Sequence, residues 1–154
     1  MTSRIQAELK QNKPFKTHKE EAAVALLRTA ALMEHGMNEA LRPHDLTSPQ
    51  YNVLRILRGA GTGGLCGREV GERMINPVPD VTRMLDRMES AGLISRVRDT
   101  DDRRHVTVRI TAAGLRVLDD VTPTLAAVER RFLRHLKESQ VRALVGALDA
   151  IRGG

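Results

Sequence analysis

The sequence predicts a mainly α fold with one small β-hairpin, its elements in the order α-α-α-α-β-β-α-α. Three observations carry that expectation. Apolar residues recur at three- and four-residue spacing along most of the chain, as helices require. Two five-residue stretches, Ile94–Arg98 and Val106–Ile110, alternate apolar and polar side chains, as half-buried strands do. Only a short charged turn, Asp99 to Arg104, separates them, so they pair as a hairpin.

Each element has its own signal. Residues 1–16 are polar and read as a flexible leader. Ala23, Leu26, Leu27, Ala30, Met33, Met37 and Leu41 step helically, with Thr17 and Glu20 as a capping box, so a helix fills 17–42. Arg42-Pro43-His44-Asp45 breaks it. Thr47-Ser48-Pro49 supplies a hydroxyl cap and a first-turn proline for a helix reaching Gly59. A glycine-rich joint follows to Gly64, then a short helix from Gly67 to Met74. Asn76-Pro77 is read as the start of the next helix, over 77–91, which Gly92 stops. After the hairpin, Thr111 caps a long helix whose apolar seam runs from Leu115 to Leu136, with Pro123 expected to kink or split it. Ser139 is expected to cap the last helix.

Composition excludes several classes. The chain has 154 residues, 41% hydrophobic and 29% charged, enough for one compact domain with helical appendages. No apolar run approaches the roughly 18–20 residues of a membrane span, and no signal-peptide core opens the sequence, so the cytosol is the expected compartment and no membrane partner is expected. A single cysteine, Cys66, excludes an internal disulfide framework and a four-cysteine zinc site. Aromatic residues are 2% (Phe15, Tyr51 and Phe132), which argues against a single-strand binder built on base stacking. The net charge is +6, and 20 of the 25 basic residues are arginine, but no segment is a block of one sign. The case for a nucleic-acid partner therefore depends on where the arginines sit.

A short helix, a tight turn, a second helix and a hairpin form a winged helix-turn-helix. On a wheel of 100° per residue with Val81 at zero, Leu85, Met88 and Met84 fall at about 40°, 340° and 300°, while Arg83 and Arg87 fall at about 200° and 240°. Two arginines one turn apart thus face away from the core, where each could donate two bonds to a guanine, and Thr82 flanks them. The plainer alternative is a solvated face on which Asp80 and Asp86 neutralise Arg83 and Arg87. At the hairpin tip, Arg103 and Arg104 could follow phosphates or enter a minor groove, with Asp102 holding an arginine extended. Arg68, opening the short helix before the turn, would contact phosphate.

Other patterns fail in context. Gly59-Ala60-Gly61-Thr62-Gly63-Gly64 matches G-x-G-x-x-G, but a helix rather than a strand precedes it. His18, His35, His44, His105 and His135 are scattered without carboxylates at ligand spacing, so no metal is expected. Cys66 precedes a helix, where its thiol could be activated, but an idle thiol is the simpler reading. No acid, base and nucleophile set is coherent, so the sequence shows no catalytic residues, and an enzyme is disfavoured.

Five motifs in order make the reading specific: Leu46–Leu54, Asp80–Glu89, Ala91–Arg96, Asp102-Arg103-Arg104 and Ile110–Gly114. Together they resemble the MarR family of bacterial transcription regulators over about residues 20–150. The resemblance implies a homodimer binding double-stranded DNA at a pseudopalindromic operator, most often as a repressor, with a possible small-molecule effector and no cofactor. It implies a DNA-binding domain over 46–110, with its wing over 94–110, and dimerisation helices over 17–42 and 111–152. By motif it carries Val78, Pro79, Asp80, Thr82, Arg83 and Arg87 to the recognition helix and Asp102, Arg103 and Arg104 to the wing. The interlocking helices would bury Leu26, Leu27, Val128, Phe132, Leu136, Leu144 and Leu148 between subunits, since they carry more apolar surface than a small winged domain covers. The sequence departs from the family in the rigid Pro77-Val78-Pro79 stretch and in its longer leader. A winged-helix module that binds protein instead of DNA is the alternative, which the outward Arg83 and Arg87 disfavour.

Overall fold

Local hydrogen-bond chemistry sets most element boundaries. The computed structural model describes residues 3–153, in two compact units, one reaching to Gly36 and one running from Met37. In the first, Ser3 caps a short helix α1, Arg4–Glu8, by accepting from the Gln6 N–H. The segment read as a flexible leader thus contains a short helix. Helix α2 spans His18–Leu41. The Thr17 hydroxyl accepts from the Glu20 N–H at 3.1 Å, and the Glu20 carboxylate accepts from Lys16, one residue further out than an ordinary capping box.

In the second unit, Arg42–His44 forms a 3-10 turn that Asp45 closes in the left-handed conformation. Thr47 and Gln50 form a complete capping box for α3, Ser48–Ala60. A second 3-10 turn, Gly61–Gly63, leads to a strand β1 of two residues, Leu65–Cys66, and helix α4 follows at Gly67–Arg73. After α5 (Val81–Ser90) come strands β2 (Ile94–Arg98) and β3 (Val106–Ile110), then α6 (Ala112–Leu133) and α7 (Glu138–Gly153).

The expected hairpin forms in full register, from Ile94 opposite Ile110 to Arg98 opposite Val106. It is part of a three-stranded antiparallel sheet of order β1-β3-β2. β1 pairs Leu65 with Val108 and Cys66 with Thr107. Two residues are too few to show alternation, so only the partner strand reveals them as a strand. The glycine-rich segment is not a loose joint. The Arg109 side chain donates to the Thr62 carbonyl at 2.8 Å, and Gly64, at φ 68°, lies where a Cβ would come 2.5 Å from the Val108 carbonyl. Glycine is required there both by the backbone angle and by the approach of β1 to β3.

The core of this unit lies between α3, the sheet and α6. Val53, Leu54 and Leu57 of α3, Val108 of β3, and Leu118 and Val121 of α6 are all at most 1% exposed. Pro123 does not split α6. It removes one backbone hydrogen bond, but Leu118 and Val121 before it and Leu125 after it are all anchored in the core. The apolar period was expected to run through Leu136 in one helix. Instead α6 ends at Leu133, and Leu136 donates its N–H to the Leu133 carbonyl in the turn before α7. The start of α7 also differs. Ser139 is its second residue, and the Gln140 side chain accepts from the Lys137 N–H at 2.9 Å in place of a hydroxyl cap. Among the described residues no helix is long and apolar enough to cross a membrane.

The junction between sheet and α6 is tightly bonded and closely packed. Thr111 donates its hydroxyl to the Gly92 carbonyl at 2.6 Å, accepts from the Gly114 N–H at 3.1 Å, and gives its own N–H to Leu93. A Cβ on Gly114 would meet the Leu93 carbonyl at 2.3 Å. Gly114→Ala is therefore expected to destabilise the fold by about 2 kcal/mol or more. Gly59→Ala, in α3 with nothing within 4 Å of the added Cβ, is expected to be neutral or to stabilise by up to about 1 kcal/mol. Thermal unfolding of the two variants beside wild type checks the pair.

Candidate nucleic-acid interface

The second helix of the helix-turn-helix is shorter than its sequence predicts. It begins at Val81 rather than Pro77. Asn76 and Val78 each precede a proline, which pushes both away from helical angles, so residues 76–79 cannot join the helix. Asp80 becomes the cap, its carboxylate accepting from the Arg83 N–H at 2.9 Å. Val78 is half-buried and packs on the core, Pro79 is exposed, and neither lies on the helix. A side chain 23 positions earlier fixes the turn itself: Asn52 of α3 accepts from the Ile75 N–H at 2.8 Å. Asn52 lies inside a recognised motif, but no local pattern could assign it a partner so far along the chain.

On α5, Leu85 and Met88 are buried, Val81 and Met84 are half-buried, and Thr82, Arg83, Asp86 and Arg87 are exposed, as the wheel predicts. The plainer alternative, neutralisation by Asp80 and Asp86, does not occur. Among the described residues neither Arg83 nor Arg87 has a carboxylate within 4.0 Å. Asp80 is the helix cap. Asp86 and Glu89 turn instead to Arg96 of β2, at 2.5 and 3.1 Å, and the Arg96 N–H also donates to Glu89. Hydrogen bonding to Arg96 holds the Glu89 carboxyl below the usual carboxylate range, and the same bond, with that to Asp86, raises the Arg96 guanidinium further.

At the wing tip, Asp99 donates its N–H to the His105 carbonyl, and His105 donates to Asp102. One oxygen of Asp102 accepts from both the backbone N–H and the Nε of Arg104, at 3.0 and 3.3 Å. Arg104 is thus oriented by Asp102 while its side chain stays 94% exposed. Arg103 gives its carbonyl to Arg98 and leaves its side chain in solvent. Arg68 lies in α4 as expected but is paired with Glu72 at 2.8 Å, and that hydrogen bond raises its guanidinium above the ordinary arginine value. Cys66 is half-buried at the cap of α4, with its N–H on the Glu69 carboxylate, which that bond holds below the usual range. Among the described residues no three His, Cys, Asp or Glu side chains gather as metal ligands.

The geometry is that of a winged helix with an arginine pair on one helix and another at the hairpin tip. The sequence profile of the MarR family matches residues 46–106. The transcriptional regulator HosA of Escherichia coli is 34% identical over 96 residues, covering 62% of this chain and 70% of that protein. The chain belongs to the MarR family. A MarR transcription factor from Planctomyces limnophilus has the same fold with a TM-score of 0.69 and 31% identity, over 89% of this chain and 99% of that one. A mutant MarR of E. coli complexed with operator DNA superposes with a TM-score of 0.78 over 90% and 99%, and its 22% identity makes it a likeness of fold. This MarR-family chain is a transcriptional regulator and not an enzyme.

The cap is testable by itself. Asp80→Ala removes the side-chain acceptor at the start of α5 and is expected to cost about 1 kcal/mol, while Asp80→Asn retains most of the stability. Denaturant unfolding of both variants checks it, and equal losses would show that the cap bond is not what holds the helix start.

Proposed function

We propose that this regulator binds double-stranded DNA as a homodimer, at a pseudopalindromic operator, and acts as a repressor released by a small-molecule or stress signal. One observation supports it most. The acids that could neutralise Arg83 and Arg87 are held by the helix start and by Arg96, so two guanidiniums stand together on an exposed helix face. Arg is suited to bidentate bonds with guanine in a major groove, and Thr82 beside it to a thymine methyl or a base edge. In this reading Arg104, held by Asp102, and Arg103 meet phosphate or a minor groove from the wing. Arg68 keeps its side chain 85% exposed beside Glu72, and in this reading it contacts backbone phosphate. Asp80 acts through the helix start, and Val78 and Pro79 shape the turn before it.

The terminal helices, each taken singly, support dimerisation. Helix α7 has 16 residues and none of them is buried. Leu144 is 39% exposed and Val145 52%, and on α2 Leu27 is 71% exposed. A helix draws most of its stability from packing, so a second copy covering these faces is the natural completion. In this reading Leu26, Leu27, Phe132, Leu136, Leu144 and Leu148 contribute area to the interface. Val128 is 9% exposed within the single chain and has little left to add. Two reading heads related by a two-fold axis must match half-sites about 34 Å apart. A ligand that favours a different head spacing shifts the protein away from DNA by its difference in affinity for the two states.

Selection from a pool of random duplexes provides the operator. Arg83→Ala is then expected to lower affinity by about 1–3 kcal/mol and relax preference at particular base pairs. Arg104→Ala is expected to weaken all duplexes evenly, with the salt slope shallower by about one. Gel-shift titrations across salt with both variants separate the two roles. Enrichment of no duplex sequence would remove the DNA-reading proposal.

A further inference from the structure

We infer that Arg96 is a positioning residue for DNA reading: by occupying Asp86 and Glu89 it keeps the carboxylates of α5 from opposing Arg83, Arg87 and the phosphates of the duplex. The inference rests on the DNA-reading role proposed above and deepens it. Arg96 stands opposite Val108 in the ladder, on the same side of β2 as buried Ile94, because alternate strand residues share a face. That side carries its guanidinium to α5, where one nitrogen meets both Asp86 and Glu89, and the backbone N–H reaches the second oxygen of Glu89.

The arrangement is asymmetric. The Arg96 side chain is 22% exposed, whereas those of Asp86 and Glu89 are 56% and 40% exposed. The arginine is covered and its two acids are at the surface of the reading helix. Without Arg96 that surface would hold two uncompensated negative charges beside two positive ones. Asp86 follows Arg83 by three positions, a spacing at which helix side chains meet and pair. Arg83 would then reach a carboxylate before it reached a base, and the acids would repel the phosphate backbone. Holding β2 in place does not need Arg96, since the ladder from Ile94 to Arg98 and the Thr111 bonds to Gly92 and Leu93 already fix the strand. With both acids partly in solvent the ion pair adds only modestly to folding stability, and the ladder and the Thr111 bonds hold the strand without it, so the main effect of losing Arg96 falls on binding.

The test uses the full chain and the duplex that wild type selects. R96M is expected to bind that duplex about tenfold more weakly, the order of loss when like charges face each other across an interface. R96K, which keeps the charge, is expected to recover most of the affinity. The decisive variant is R96M/D86N/E89Q, which removes the acids together with their counter-ion and is expected to return affinity and salt slope to near wild type. D86N/E89Q, with Arg96 intact, is expected to bind at least as tightly as wild type, and it provides the readout should R96M fail to fold. Wild-type affinity in R96M would overturn the inference. So would a triple variant that folds but stays as weak as R96M, which would make Arg96 a purely structural group, or a D86N/E89Q variant that loses binding. Failure of wild type to select any duplex would instead remove the reading on which this one stands.

Discussion

Three carboxylates lie within ten residues of one another around Arg83 and Arg87, and the group that holds each of them determines what α5 presents to an anion. Asp80 closes the start of the helix, and Asp86 and Glu89 lie on Arg96. A helix with as many acids as arginines would otherwise be an ordinary solvated face with its charges paired along the surface. Arg96 comes from the wing strand, so in the proposed reading the hairpin serves α5 twice, as a separate contact with arginines at its tip and as the source of the counter-ion.

This arrangement depends on packing some distance from the arginines. Helix α5 is positioned through buried Leu85 and Met88, and the turn before it is tied to α3 by Asn52. Strand β2 is held by five ladder positions and by the close seat of α6 beneath Leu93, where only glycine fits at position 114. A displacement of α6 therefore acts on the same turn, Gly92–Leu93, that joins the reading helix to the wing. For the homodimer proposed above, that gives a physical route by which a change in the dimerisation helices would alter the DNA-reading elements, because packed elements shift between discrete arrangements and do not deform smoothly.

The sequence disclosed what is local. Thr47, Thr111 and the apolar stripe of Val81, Met84, Leu85 and Met88 were legible because a cap or a helical period involves residues within a few positions of one another. The hairpin was legible for the same reason, and the order of motifs identified the family. What stayed hidden depends on partners distant in the chain. Asn52 bonds Ile75, β1 is a strand only against β3, and Arg96 meets Asp86 and Glu89 across a strand and a helix. The early start expected for α5 arose from reading Pro77 as a favourable first helical residue. That reading overlooked the restriction that Pro77 and Pro79 place on Asn76 and Val78. Val128 lies on the apolar seam of α6, but a seam in the sequence does not reveal how much of each side chain its own subunit already covers, which for Val128 is nearly all.

Protection of guanine N7 from methylation, mapped on the selected duplex with wild-type protein, tests the central claim most directly. Two reading helices carrying Arg83 and Arg87 in successive major grooves are expected to protect two guanine clusters about one helical turn apart. Protection symmetric about the centre of the pseudopalindrome, and lost at both clusters in Arg83→Ala, is the expected result. A single protected cluster, or protection unchanged in Arg83→Ala, would contradict the account of α5 as the reading helix of a two-fold dimer.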